Sequence, residues 1–240
     1  MFCLSKGVTV KTIGILGGMS WESTLEYYRI INQETKQRLG GYHSAQILLY
    51  SFDFAVIEAC QHQGLWEEMG RLLSEQAQKL EQAGADFILI ATNTMHKVAE
   101  VIEEAISVPL LHIADATAEA IIKQGLTRVG LLGTRFTMEE EFYRGRLRDR
   151  YNLEVLIPPP APRRLVHQVI FQELVLGKIQ DASRQKFVQI IEELKEEVAQ
   201  GIILGCTEIP LLVGPKDSPL PLFDTTAIHA RQAVDWALKD

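Results

Sequence analysis

The chain repeats itself. Thr12-Ile13-Gly14-Ile15-Leu16-Gly17 is echoed by Arg128-Val129-Gly130-Leu131-Leu132-Gly133, an offset of 116 residues (130 − 14). Ile90-Ala91-Thr92-Asn93 is echoed by Leu204-Gly205-Cys206-Thr207 at 114 (206 − 92), and Ala114-Asp115-Ala116-Thr117-Ala118 by Phe223-Asp224-Thr225-Thr226-Ala227 at 109 (224 − 115). Three anchors in the same order at similar offsets point to duplicated architecture rather than to chance likeness between strands. Within each copy, short apolar runs alternate with longer segments of helical period. That pattern predicts an α/β fold of two pseudo-symmetric lobes, each a mainly parallel sheet flanked by helices.

In the first copy, strands are expected over 10–16, 45–50, 86–90 and 109–113, with helices over 21–39, 66–83, 95–105 and 115–123. The second copy places strands at 128–132, 153–157, 201–204 and 220–223, and helices at 138–150, 166–176, 182–200 and 225–238. The chain then divides into an N-terminal lobe of 11–113 plus 227–240, a C-terminal lobe of 114–226, and an N-terminal extension of 1–10. In a parallel sheet the loops after the strands gather along one edge, where ligands bind. Two such lobes facing each other would set Thr92 opposite Cys206, with the active site in the cleft between them.

Composition narrows the function classes. The formal charge is −7, from 31 acidic and 24 basic residues. The one basic cluster, Arg144, Arg146, Arg148 and Arg150, alternates around a helix axis, so it reads as a solvated helix and nucleic acid is a poor partner. No apolar run approaches the roughly 18 residues of a membrane span, and Met1-Phe2-Cys3-Leu4 is too short for a signal-peptide core. A cytoplasmic protein is expected. Three cysteines (Cys3, Cys60, Cys206) do not make a disulfide framework. The six histidines, at 43, 62, 96, 112, 167 and 229, form no metal-ligand pattern with cysteine or carboxylate, so no metal is expected.

Cys206 is the cysteine placed for chemistry. It follows the strand-like run Ile202-Ile203-Leu204-Gly205, where backbone N–H groups and a helix N-terminus favour a thiolate. Thr207 and the adjacent amides could hold a carboxylate, and Glu208 could orient or deprotonate the thiol. In the first copy, Thr92-Asn93-Thr94 stands at the mouth of a helix with hydroxyl, amide and N–H donors, a carboxylate cradle unless it is plain helix capping. His96 lies one turn on, with a structural or a site role. Gly17-Gly18-Met19-Ser20 is neither GxGxxG nor a P-loop and reads as a tight turn offering N–H groups to an anion, with Gly133-Thr134-Arg135 as its counterpart. Asp53, at the end of the second strand, is an acid-base helper or a cap. Cys3 and Cys60 have no such setting.

These residues together resemble the aspartate/glutamate racemase superfamily, in its cofactor-independent amino acid racemase branch, from about Lys11 to the C-terminus. The resemblance is carried by Gly14-Ile15-Leu16-Gly17-Gly18-Met19-Ser20-Trp21-Glu22-Ser23-Thr24, Thr92-Asn93-Thr94-Met95-His96, Ile203-Leu204-Gly205-Cys206-Thr207-Glu208-Ile209 and Phe223-Asp224-Thr225-Thr226-Ala227-Ile228-His229-Ala230. It implies Rossmann-like lobes, a homodimer, and no pyridoxal phosphate or metal cofactor. It also implies proton transfer by one residue on each face of the substrate α-carbon, usually two cysteines. This chain has Thr92 at the first position, like members associated with preference for L-enantiomers. The implied catalytic pair is therefore Thr92 and Cys206, with a thiol pKa lowered toward neutrality and Glu208 as acid-base support, to which the strand-end position adds Asp53. Asn93, Thr94 and Thr207 would bind the substrate carboxylate, with Met19 and Thr134 lining the site. Arg135, Arg163, Arg164 and Lys178 are candidates for the side-chain carboxylate of L-aspartate or L-glutamate. The rivals are a single-cysteine relative, such as a decarboxylase or a hydantoin-type racemase, and a non-catalytic binder of small carboxylic acids.

Overall fold

The computed structural model describes residues 10–239, so Cys3 and nearly all of the 1–10 extension lie outside the described residues. The chain forms two compact units. The first holds the described residues up to Ala91, Val98–Leu111, and those from Ala230 on; the second holds Thr92–Lys97 and His112–His229.

In the first unit, β1 (Ile13–Gly17), β2 (Ile47–Ser51), β3 (Phe87–Ile90) and β4 (Leu110–Leu111) make a parallel sheet of order β2-β1-β3-β4. Its helices are α1 (Trp21–Leu39), α2 (Phe54–Gln63), α3 (Trp66–Gln82), α4 (Ala99–Ala105) and, from the chain's end, α11 (Thr225–Ala237), which begins in the second unit. β1 and β3 are buried along their whole lengths, as expected of strands covered on both faces. Gly14 at the sheet centre leaves room for Ile88: a Cβ there would lie 2.4 Å from the Ile88 Cδ1.

The second unit carries β5 (Arg128–Gly133), β6 (Glu154–Leu156), β7 (Ile202–Gly205) and β8 (Leu222–Asp224) in the order β6-β5-β7-β8, again parallel throughout. α5 (Ile113–Lys123), α6 (Arg135–Glu139), α7 (Glu141–Tyr151), α8 (Pro160–Gln172), α9 (Asp181–Glu196) and α10 (Ile209–Leu212) complete it. The core joins Val129, Leu131, Ile191, Ile203 and Phe187 to the inner faces of these helices. The two sheets have the same strand order, and the duplication holds in register. Gly14 pairs with Ile88 as Gly130 pairs with Ile202, and at Gly130 too a Cβ would press on the neighbouring isoleucine, at 2.7 Å.

The third sequence anchor is corrected by the strand register. Leu89 pairs with Leu111 while Ile203 pairs with Phe223, so the counterpart of Asp224 is His112, not Asp115. Both cap the next helix: His112 Nδ1 accepts from the Ala114 N–H, and Asp224 Oδ1 accepts from Thr226 and Ala227. Asp115 instead forms a two-bond ion pair with Arg146, at 2.6 and 2.7 Å, so that arginine is not a solvated charge.

Two of the differences from the expected helices have a clear local cause. The helix expected over 138–150 is split at Glu140, whose backbone is extended. The break separates three successive glutamates, which pair with different cations: Glu139 with Arg163, Glu140 with Lys97, and Glu141 with Arg144 and Arg148. α2 was not expected. It is capped by Asp53 and by Gly64 in the left-handed region, yet buries only Ile57 and Gln61, too narrow a stripe to register as periodicity.

Candidate active site

Three adjacent strands of the second unit end level with one another. Gly133 pairs with Gly205, and Leu204 pairs with Asp224, so Thr134, Cys206 and Thr225 stand just past the ends of β5, β7 and β8. Glycine is needed at the first two ends because the backbones close tightly. A Cβ on Gly133 would lie 2.8 Å from the Gly205 carbonyl oxygen, and one on Gly205 would lie 2.8 Å from the Leu131 Cδ1.

The Thr92–Lys97 segment is built onto this row. Thr94 Oγ1 lies 3.1 Å from Thr134 Oγ1, which in turn lies 3.2 Å from Thr137 Oγ1. On the other side, Asn93 Nδ2 donates to Thr225 Oγ1 (3.0 Å), and that hydroxyl donates to the Leu204 carbonyl (2.9 Å). The segment is therefore hydrogen-bonded to the strand ends on both flanks of β7, the strand that leads into Cys206. Because Thr225 spends its proton on Leu204, the Asn93 amide orientation is fixed with Nδ2 toward Thr225. Asn93 Oδ1 and Thr226 Oγ1 are buried with no hydrogen-bond partner.

Cys206 is 8 % exposed, and its thiol donates to Glu208 Oε2 at 3.0 Å. The half-buried Thr207 hydroxyl donates to the same oxygen at 2.8 Å. Burial pushes the Cys206 thiol well above its ordinary range, and the Glu208 negative charge and hydrogen bond push it further. The backbone N–H groups of Thr207 and Glu208 pull the other way and do not win. The expectation of a thiol lowered toward neutrality is thus corrected. A strand end supplies N–H groups, but it also supplies burial, and here a carboxylate sits against the sulfur.

Of the other expected site residues, Met19 and Asp53 belong to the first unit. Met19 is buried in the turn after β1; Asp53 is exposed, and its Oδ1 accepts from the Ala55 N–H as the cap of α2. Among the candidate cations, Arg163 is ion-paired with Glu139, whereas Arg135, Arg164 and Lys178 are exposed and Arg135 lies over the Phe136 ring. Cys60 is half-buried in α2. Thr225 and Thr226 were not expected at the site, although both stand in a repeat anchor; the bonds of Thr225 run to Asn93 and Leu204, far along the chain. Among the described residues no group of three or more His, Cys, Asp or Glu side chains is arranged to hold a metal, and no helix is long and apolar enough to cross a membrane.

Residues 16–233 match the model of the Asp/Glu/hydantoin racemase family. The chain is 28 % identical over 235 residues to the broad specificity amino-acid racemase RacX of Bacillus subtilis (strain 168), covering 94 % of this chain and 98 % of that one. A crystal structure of a protein from Yersinia pestis, provisionally assigned as an Asp/Glu racemase, is 54 % identical with a TM-score of 0.91, over 95 % of this chain and all of the other. An aspartate racemase homologue from Pyrococcus horikoshii OT3 is 35 % identical with a TM-score of 0.83, over the same shares.

Proposed function

Because this chain belongs to the Asp/Glu/hydantoin racemase family and is an isomerase by that membership, we propose that it racemises an acidic amino acid, L-aspartate or L-glutamate. Cys206 is the proton-transfer base on one face of the α-carbon and Thr92 serves the other. The observation that carries this reading is that Asn93 and Thr94 are fastened on both flanks of β7, the strand that leads into a thiol already hydrogen-bonded to a carboxylate.

Glu208 supplies what a raised thiol lacks. The Cys206 proton moves along the existing hydrogen bond to Glu208 Oε2, leaving a thiolate that removes the α-proton. The α-ammonium of a bound amino acid favours that thiolate by its positive charge. The electron pair left on carbon spreads into the substrate carboxylate, which hydroxyl and N–H donors such as Thr94, Thr134 and Thr207 would stabilise. The Thr92 hydroxyl then delivers a proton to the opposite face and recovers one from solvent, while Cys206 keeps the α-proton and Glu208 returns the proton it took to solvent. Asn93 Oδ1, an acceptor without a partner, suits the α-ammonium and refines its expected carboxylate role. No pyridoxal phosphate enters this scheme. The protein works as a cytoplasmic homodimer. A substrate range wider than the two acidic amino acids is suggested by the breadth named for the Bacillus relative.

The test is incubation with each enantiomer of aspartate and glutamate in D₂O, following the α-proton signal by NMR. Loss of the signal in the wild type and its retention in Cys206→Ser support the proposal. No exchange with any amino acid sinks it.

A further inference from the structure

His96 is used by neither proton transfer nor the substrate cradle, yet it is 2 % exposed and makes two defined hydrogen bonds. Its Nε2 lies 3.2 Å from the Ile113 backbone nitrogen, which can only donate, so Nε2 is the accepting nitrogen and Nδ1 carries the proton. Nδ1 lies 2.8 Å from the carbonyl oxygen of Thr92. One imidazole thus bridges the Thr92 carbonyl and the first residue of α5. The ring packs among two others: His112 lies 4.4 Å from it, centroid to centroid, and His229 5.9 Å, both buried. His112 is itself fixed, accepting at Nδ1 from the Ala114 N–H at 3.1 Å.

We infer that His96 is a positioning residue for Thr92, its Nδ1–H tautomer tying the Thr92 carbonyl to the start of α5. The side chains of Asn93 and Thr94 fasten the segment to the ends of β8 and β5, but neither holds Thr92 itself. The His96 bond does so, four residues back along the chain. It fixes where the Thr92 hydroxyl is delivered while its own ring stays out of the reaction. This rests on the proposed role of Thr92.

Two isosteric replacements separate positioning from plain core packing. In His96→Asn the amide nitrogen falls near the place of Nδ1 and can keep the Thr92 bond. In His96→Gln the amide oxygen falls near Nε2 and keeps only the Ile113 bond. In solvent-exchange kinetics, His96→Gln should lower kcat by roughly 10- to 100-fold with KM changed by less than about threefold, as misplacement of a reacting group does, while His96→Asn stays within about threefold of wild type. Equal losses in both variants, or a loss confined to His96→Asn, overturn the inference.

Thr92→Ala keeps the backbone carbonyl and removes only the hydroxyl. Adding His96→Gln to it should therefore lower kcat no further; a full multiplicative loss overturns the inference. If Thr92→Ala alone exchanges like wild type, it is the Thr92 mechanism that fails. If Thr92→Ala is impaired and His96→Gln is not, only the positioning role fails. Should the glutamine variant not fold, ¹⁵N NMR of wild-type histidine side chains decides: the Nδ1–H tautomer at His96 supports the inference, and an Nε2–H tautomer or an imidazolium overturns it.

Discussion

The ends of β3 and β7 are counterparts in a duplicated fold, and they are supported in opposite ways. After β7, the residue proposed to react is Cys206, and its thiol is hydrogen-bonded to a carboxylate that raises it. After β3, the counterpart is Thr92: its carbonyl meets a histidine whose burial and histidine neighbour hold it well below its ordinary pKa, and the side chains of the next two residues, Asn93 and Thr94, bond to threonine hydroxyls. The asymmetry therefore extends beyond the exchange of threonine for cysteine. One side has a carboxylate built against its thiol, and on the other the hydrogen bonds are those that hold the backbone segment in place. A proton should be taken readily on the Cys206 side and merely handed on at Thr92.

The most severe way to break the comparison is to remove the acid. Cys206→Ala should lower α-proton exchange by roughly 10²- to 10⁴-fold, the usual contribution of a positioned acid-base group, measured by NMR in D₂O. Glu208→Gln comes next, with a loss of about 10- to 100-fold in kcat. It also tests the cause of the raised thiol. Replacing the carboxylate by an amide removes the negative charge that helps hold the thiol up, so the alkaline limb of the pH–rate profile should move to lower pH, though burial keeps it above the ordinary range. A limb that moves up or stays put contradicts the electrostatic account. Thr92→Cys sharpens the comparison instead. With a thiol on both sides, exchange from the D- and L-enantiomers should become more nearly equal, and an unchanged preference would falsify the asymmetry.

Tight closure at the strand ends gives a stability test. Gly205→Ala forces a Cβ to 2.8 Å from the Leu131 Cδ1 and 3.1 Å from the Leu132 carbonyl oxygen. Overpacking of that kind costs about 1–3 kcal/mol, to be read from denaturant unfolding. Gly177→Ala makes a useful contrast, since a Cβ there meets nothing within 4 Å and only its φ of 70° opposes the change.

How far the sequence could be read follows from the range of the interactions. Gly14 and Gly130 were legible as anchors because each leaves room at a sheet centre for the isoleucine alongside, and the register places them in equivalent pairs. The fourth-strand anchor was misread because the caps on the two sides differ, histidine in one and aspartate in the other, so likeness of letters drew Asp115 into the wrong place. α2 escaped because two buried residues carry no visible period. The chemistry was legible only by residue type. Cys206 stands at a strand end as its sequence context suggests, but the sign of its pKa shift depends on burial among distant segments. The bond from Ile113 to His96 spans 17 residues, and nothing local announces it.

The smallest expected effect reads the two sides separately through pH. His96 and His112 are held well below their ordinary value by burial, so below about pH 6.5 the unfolded chain binds protons that the folded chain does not. Their contribution to stability is present above that pH and is lost as pH falls through it, at up to about 1.4 kcal/mol per pH unit for each histidine. Cys206 has the opposite sign. Its folded thiol keeps a proton that the unfolded thiol releases above about pH 8.5, so stability falls as pH rises past that point with the same limiting slope for one group. Thermal midpoints across pH should therefore decline at both ends. Cys206→Ala should flatten only the alkaline decline, and His96→Asn should flatten only part of the acid one. If one substitution altered both limbs, the two strand ends would not titrate as independent supports, and the contrast between them would have to be replaced by a single coupled site.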